Sequence, residues 1–265
     1  IYEVMEVKEP EEKGTIVSEL SGNIELKNIS LAYKGKPILK NISFSIKGKS
    51  HTAIIGPTAA GKSQLLYLLT SLVSPDSGTI EFDGKPLTDY DKESFHHQIG
   101  YVFQDSAIFN MSLRENIAFS EKVTEEMMNK ALETAELTDF VESLPEKLET
   151  VISERGTNLS GGQKQRIMLA RALALNPKIL FLDDFTARVD RKTEKKILCN
   201  LENNYPELTL VSVTQKVSSV KHFEQIVLLM QGELIATGTH KELTENCAEY
   251  VQISNSQKST SHYEL

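Results

Sequence analysis

Two segments of the chain carry residues suited to phosphate chemistry. "GPTAAGKS", Gly56 to Ser63, fits the pattern G-x-x-x-x-G-K-[ST]. Gly56, Pro57, Thr58, Ala59, Ala60, Gly61, Lys62 and Ser63 would form a loop whose backbone N–H groups ring a phosphate. A helix N-terminus behind the loop adds positive potential. Lys62 is placed to reach the β- and γ-phosphates of a nucleotide, and the Ser63 hydroxyl to ligate Mg²⁺. Far along the chain, in "PKILFLDDFTARVD", an apolar run from Ile179 to Leu182 ends in the adjacent carboxylates Asp183 and Asp184. An apolar strand beside the loop strand that ends in an acid suits a Mg²⁺ ligand, here Asp183. Asp184 then points toward the attacking water, as general base or water-orienting group. The plain alternatives are a chance glycine turn before a helix and an aspartate that caps the next turn.

A phosphate loop works only between a strand and a helix, and both are in register. "HTAIIG" is a short buried strand, and "KSQLLYLLTSL" places Leu65, Leu66, Leu68 and Leu69 on a mostly buried helix that ends at Pro75 and Gly78. Before them, Ile24, Leu26, Ile29 and Leu31 alternate as strands do, with a register break. From about residue 105 to 173 the pattern is helical. "TEEMMNKALETAEL" sets Met127, Met128, Ala131, Leu132 and Ala135 on one face, with acids in the first turn. Strand and helix then alternate to the end, which argues an α/β sheet with helices on its faces. The first 20 or so residues read as an acidic linker, and the tail after residue 252 as polar and frayed.

Composition narrows the class. The chain has 265 residues, 40% hydrophobic and 25% charged, with a net charge of −8 and no basic block, so nucleic acid is not an expected partner. No apolar run approaches the roughly 18 residues that would span a bilayer. Cys199 and Cys247 lie far apart and make no metal or redox spacing, which suits two reduced structural thiols in a cytosolic domain. His96 and His97 are adjacent but fit no ligand spacing and read as surface residues.

A third element names a family. "NLSGGQKQR" puts Ser160, Gly161, Gly162 and Gln163 at a helix N-terminus, where glycines let backbone approach an anion closely. With "GPTAAGKS", "YVFQD", "ILFLDD", "ARVD" and "SVTQK" in the same order and spacing, the chain resembles the nucleotide-binding domain of an ATP-binding cassette (ABC) transporter over residues 21–252. "DSAIFNMSLRENIAF" and "TVISERG" resemble the exporter type. The resemblance implies an α/β phosphate-loop cassette with a mainly parallel core sheet, an N-terminal antiparallel β subdomain and a helical signature subdomain. It also implies a transmembrane domain of the same polypeptide before Ile1 and a place at the cytoplasmic face of the membrane. ATP and Mg²⁺ are the implied cofactors.

Residue by residue, the resemblance assigns Tyr33 to stacking on adenine, with a half-exposed strand tyrosine as the alternative, and Gln64 to the end of the phosphate loop. Gln104 matches the glutamine that reaches Mg²⁺. In the family two cassettes close head to tail, so Ser160, Gly161, Gly162 and Gln163 would touch the ATP of a second cassette. Asp190 matches an aspartate of the dimer interface, and helix capping is an alternative that can coexist with it. Four positions depart from the family, one of them Gln64, which follows Ser63 where Thr is common. Asp184 stands for a catalytic Glu, shorter by a methylene. Gln215 stands for a switch His, and an amide cannot become a cation or relay a proton. Ala59 stands where Gly is usual, at a cost of about 1–2 kcal/mol if φ there is positive. The pattern is that of the degenerate-site half of a heterodimeric exporter, partnered by a different chain. A fully active homodimeric ATPase and a soluble regulator without a transporter stay open as alternatives.

Overall fold

The computed structural model describes residues 14–105, 107–153 and 156–260. The chain starts with β1 (Ile24–Tyr33), β2 (Lys36–Ile46) and β3 (His51–Ile55), then helix α1 (Lys62–Leu69). Next come β4 (Ser77–Phe82), β5 (Lys85–Pro86), α2 (Lys92–His96) and β6 (Ile99–Val102). The helical region holds β7 (Met111–Ser112), α3 (Leu113–Ile117), α4 (Glu125–Thr134), α5 (Thr138–Ser143), β8 (Val151–Ile152) and α6 (Gly161–Leu173). The chain then runs through β9 (Ile179–Asp183), α7 (Arg191–Asn204), β10 (Thr209–Thr214), α8 (Val217–Val220), β11 (Gln225–Met230), β12 (Glu233–Gly238), α9 (His240–Asn246) and α10 (Ala248–Thr260).

Two sheets organise these elements. The antiparallel sheet has the order β2-β1-β4-β5. Its register against β2 slips between Leu26 and Ile29, where Asn28 takes φ 53°, and the slip keeps Ile24, Leu26, Ile29 and Leu31 all buried. The main sheet has the order β12-β11-β3-β10-β9-β6, with every neighbouring pair parallel except β11–β12. Its inner strands are apolar on both faces, as a sheet covered on both sides requires. Ile54, Phe181, Val211, Val213, Val227 and Leu229 face the cluster that holds α1 and the antiparallel sheet. Ala53, Ile55, Leu180, Leu182, Leu210, Ile226 and Leu228 face the cluster that holds α6 and α7.

The expected neighbour of the loop strand is corrected here. β9 does not lie beside β3, because β10 runs between them and pairs with both. Every residue of β10 is buried, so it takes an interior place rather than an edge. The tail is corrected too. Residues 253–260 do not fray but continue α10, with Tyr250 fully buried and Ser254 nearly so. At the other end, part of the expected linker lies on the domain. Ile16 bridges to Tyr90, Leu20 is buried, and its N–H donates to Gln98 Oε1 at 2.7 Å. Residues 1–13 of that linker lie outside the described residues, as do Ser106, Glu154 and Arg155 of the exporter-like segments. Cys247 is buried but Cys199 is exposed on α7, so only the first is structural. His96 and His97 are exposed as expected.

Candidate nucleotide site

Parallel strands end on one rim, and that rim is where open α/β sheets take ligands. β3 opens there into the phosphate loop, β9 ends in Asp183, β10 ends before Gln215, and β6 ends shortly before Gln104. Residues scattered over more than half the chain are thereby collected along one edge.

The loop itself is forced by its glycines. A Cβ on Gly56 would lie 2.0 Å from the Leu229 carbonyl oxygen of β11. Gly61 takes φ 95° against the Leu39 side chain of β2, so the antiparallel sheet leans on the loop. Ala59 also has positive φ, 63°, although it carries a Cβ. The expected strain is present, at about 1–2 kcal/mol. Pro57, Thr58 and Ala59 are exposed, whereas Ala60 is buried.

Lys62 is only 8% exposed, and its ammonium donates to the carbonyls of Gly56 at 2.9 Å and Pro57 at 2.8 Å. Burial pulls its pKa down, opposed by the charges of Asp184 and Asp183. Along β9, Asp183 shares the parity of Ile179 and Phe181, which aims it at the α1 side of the sheet. There Ser63 Oγ donates to Asp183 Oδ1 at 3.1 Å. Asp183 is 2% exposed, and burial pushes its pKa up. Two of the three expected cation ligands, Ser63 and Asp183, are therefore side by side. They are hard oxygen donors of the kind Mg²⁺ takes, and such a site draws its remaining oxygens from phosphate and water. The buried Tyr101 hydroxyl has no hydrogen-bond partner and lies in the field of Asp183.

Asp184 follows at φ 48°, half-buried, with its N–H donating to Val213 O at 3.0 Å. That bond joins the ends of β9 and β10 and ties Asp184 to Val213, two positions before Gln215. Gln215, Gln104 and Tyr33 are exposed, and Lys34 Nζ lies 5.3 Å from the Tyr33 ring centre. Gln64 is half-buried in the first turn of α1.

The signature residues form a separate unit. Ser160 caps α6: its Oγ accepts from the Gln163 N–H at 3.1 Å, while the Ser160 N–H donates to Gln163 Oε1 at 2.7 Å. Such a reciprocal box satisfies two helix-end donors. Ser160 and Gly161 are exposed, and a Cβ on Gly162 would press to 3.0 Å from the Arg188 carbonyl. Asp190 is an N-cap, accepting from Lys192 and Thr193 N–H at 3.1 and 3.0 Å.

The ABC transporter family profile matches residues 39–187. This chain belongs to the ABC transporter family. It is its nucleotide-binding cassette, with the fold the resemblance implied. The chain is 42% identical over 261 residues to a Bacillus subtilis protein named uncharacterized ABC transporter ATP-binding protein YfiB, covering 97% of this chain and 45% of that protein. It is 33% identical to an ATP-dependent lipid A-core flippase of Photobacterium profundum, covering 96% of this chain and 44% of the flippase. Among solved structures, a bacterial Atm1-family ABC exporter with ATP bound superposes with a TM-score of 0.89 at 31% identity, over 95% of this chain and 44% of that one. The cassette thus spans less than half the length of these relatives. Among its described residues no helix is long and apolar enough to cross a membrane.

Residue reading overlooked three supports of the site. The Lys216 ammonium donates to the Thr186 carbonyl at 2.8 Å, and the hydroxyls of Thr186 and Thr214 lie 3.3 Å apart, bracing the two rim turns against each other. The third overlooked residue is Tyr101, whose buried, unpartnered hydroxyl lies in the field of Asp183. The S-x-x-Q spacing at 160–163 announces the capping box, and it is visible in the sequence; the rim contacts have no local signal.

Proposed function

We propose that this cassette binds MgATP on its own phosphate loop and closes head to tail on a second, different cassette, driving an exporter whose membrane domain lies in the same polypeptide at the cytoplasmic face. Its own site hydrolyses slowly, and its signature helix completes the partner's faster site. The observation that carries this reading is the composition of one rim: Lys62, Ser63 and Asp183 retain the groups that hold a nucleotide, while Asp184 and Gln215 replace those that split it.

In this proposal, the Lys62 ammonium exchanges the Gly56 and Pro57 carbonyls for phosphate oxygens. Tyr33 stacks on adenine. Ser63, Asp183 and Gln104 would hold Mg²⁺, which when bound would supply neutralisation of the phosphate charge. Asp184 orients the attacking water from a carboxylate one methylene short. Gln215 donates a neutral amide hydrogen bond to the γ-phosphate. Ser160, Gly161, Gly162, Gln163 and Asp190 face the partner's nucleotide. The exposed cap of α6 supports that assignment, because a helix N-terminus already satisfied by its own cap still presents free N–H groups and positive potential to an incoming anion.

The test is ATP hydrolysis by the 265-residue chain and by the Asp184→Glu, Gln215→His double variant. The unmodified chain is expected to turn over slowly, and the double variant faster by about 10²–10⁴. Hydrolysis by the unmodified chain at the rate of the double variant removes the slow-site claim. Calorimetry that finds no uptake of ATP with Mg²⁺ removes the binding claim as well.

A further inference from the structure

The segment that carries Gln215 is gripped by a residue outside the motifs. Gln257, on α10, accepts from the Val217 N–H at 2.9 Å through Oε1 and donates to the Gln215 carbonyl at 2.6 Å through Nε2. Between these two points, Lys216 is tied inward, its N–H donating to Thr214 Oγ1 at 3.0 Å and its ammonium to the Thr186 carbonyl at 2.8 Å. The backbone of residues 215–217 is therefore held from both sides, and the Gln215 side chain is left exposed at the rim.

α10 is anchored well enough to act as the outer jaw. Tyr250 is fully buried and its hydroxyl lies 2.6 Å from His240 Nδ1 of α9. Tyr250, Ser254 and Gln257 fall at i, i+4 and i+7, one face of a helix. That face carries a buried tyrosine, a buried serine and a hydrogen-bonding amide, with Ile253 packed against the core beside them. On the far side of the contact, Val217 and Val220 of α8 are buried. Each half of a carboxamide does a different job, oxygen accepting and nitrogen donating, so one side chain fixes both backbone groups in a single orientation.

We propose that Gln257 is a positioning residue for nucleotide sensing: by clamping the Gln215 carbonyl and the Val217 N–H, it holds the Gln215 amide toward the γ-phosphate and links α10 to the nucleotide state. This rests on the assignment of Gln215 to the γ-phosphate given above. A neutral amide donor depends on alignment, since hydrogen bonds weaken steeply as the angle departs from linear. A site with glutamine at this position accordingly needs its backbone fixed.

ATP and ADP affinities, measured by calorimetry with Mg²⁺ on the 265-residue chain, test the clamp. Gln257→Leu is expected to lower the preference for ATP over ADP by about threefold to tenfold, the worth of one hydrogen bond, with ADP affinity unchanged. Gln257→Glu keeps the acceptor for Val217 and loses the donor to Gln215, so it should fall between, and it carries the test if the leucine variant does not fold. Hydrogen exchange should show the Val217 amide protected in the unmodified chain, faster in Gln257→Leu and little changed in Gln257→Glu, which keeps its acceptor. Equal losses for ATP and ADP, or an unprotected Val217 amide in the unmodified chain, overturn the proposal. Gln215→Ala separates the two layers. If it lowers the ATP preference while Gln257→Leu does not, the positioning role alone falls; if it leaves the preference unchanged, the assignment of Gln215 falls and the clamp's function with it.

Discussion

The phosphate-loop corner and the N-terminus of α6 are built on opposite plans. At the corner, charged groups are buried and work against their surroundings: Lys62 is pulled down, Asp183 is pushed up, and Ala59 sits in a glycine conformation. At α6, Ser160 and Gln163 satisfy each other in a reciprocal cap, Gly161 lies open and Gly162 is half-buried against the Arg188 carbonyl. The first region stores cost that a polyanion and a cation would relieve. The second is complete by itself and offers its outer surface. On the proposed function, the corner acts through what binds there, whereas α6 acts through what approaches it.

The comparison can be broken most directly at Lys62. Lys62→Ala removes a buried cation with two charge-assisted bonds and should weaken ATP binding by about 100-fold or more in calorimetry. Ser160→Arg should leave that affinity within about twofold, since a surface substitution away from a site is usually worth under 0.5 kcal/mol. A comparable loss in both variants would mean the two regions are not independent.

Asp183 sharpens the contrast in stability. Asp183→Asn keeps an acceptor for Ser63 and removes the buried charge, so it should abolish the Mg²⁺ dependence of binding and still raise Tm at pH 7 by about 2–4 °C. The sign follows from a folded pKa above the unfolded one. The stability due to this group is complete below the ordinary carboxylate range and is lost as pH rises through the raised value. The gap in Tm between variant and unmodified chain should therefore shrink as pH falls; a gap that widens in acid contradicts the account. The smallest effect is at Ala59. Ala59→Gly relieves φ 63° at the expense of backbone freedom, for a net gain of about 0.5–1 kcal/mol read as a modest rise in Tm.

Much of this was legible in the residues. Leu65, Leu66, Leu68 and Leu69 are all buried, as their spacing requires, and the break in β1 falls between Leu26 and Ile29. The resemblance marked position 59 as one where Gly is usual, and φ there is positive, 63°. Two features were not legible. β10 separates β3 from β9, and strand order in a parallel sheet leaves no mark on any one strand when all are equally apolar. The last turns of α10, beyond residue 253, were hidden because their inner face is held by Ser254 and Gln257, a polar pattern that periodicity in hydrophobic residues does not detect.

By itself, the sequence determined the phosphate loop and the signature turn, each a matter of residue type at a local spacing, and the resemblance they carry marked positions 59, 184 and 215 as departures. Only the tertiary structure decided which groups meet. Ser63 reaches Asp183, Asp184 is pinned beside β10, and α10 closes on the Gln215 turn. The physical reason is that parallel strands share an edge however far apart they stand in the chain, and contacts made along that edge depend on strand order and side-chain parity, which neighbouring residues do not encode.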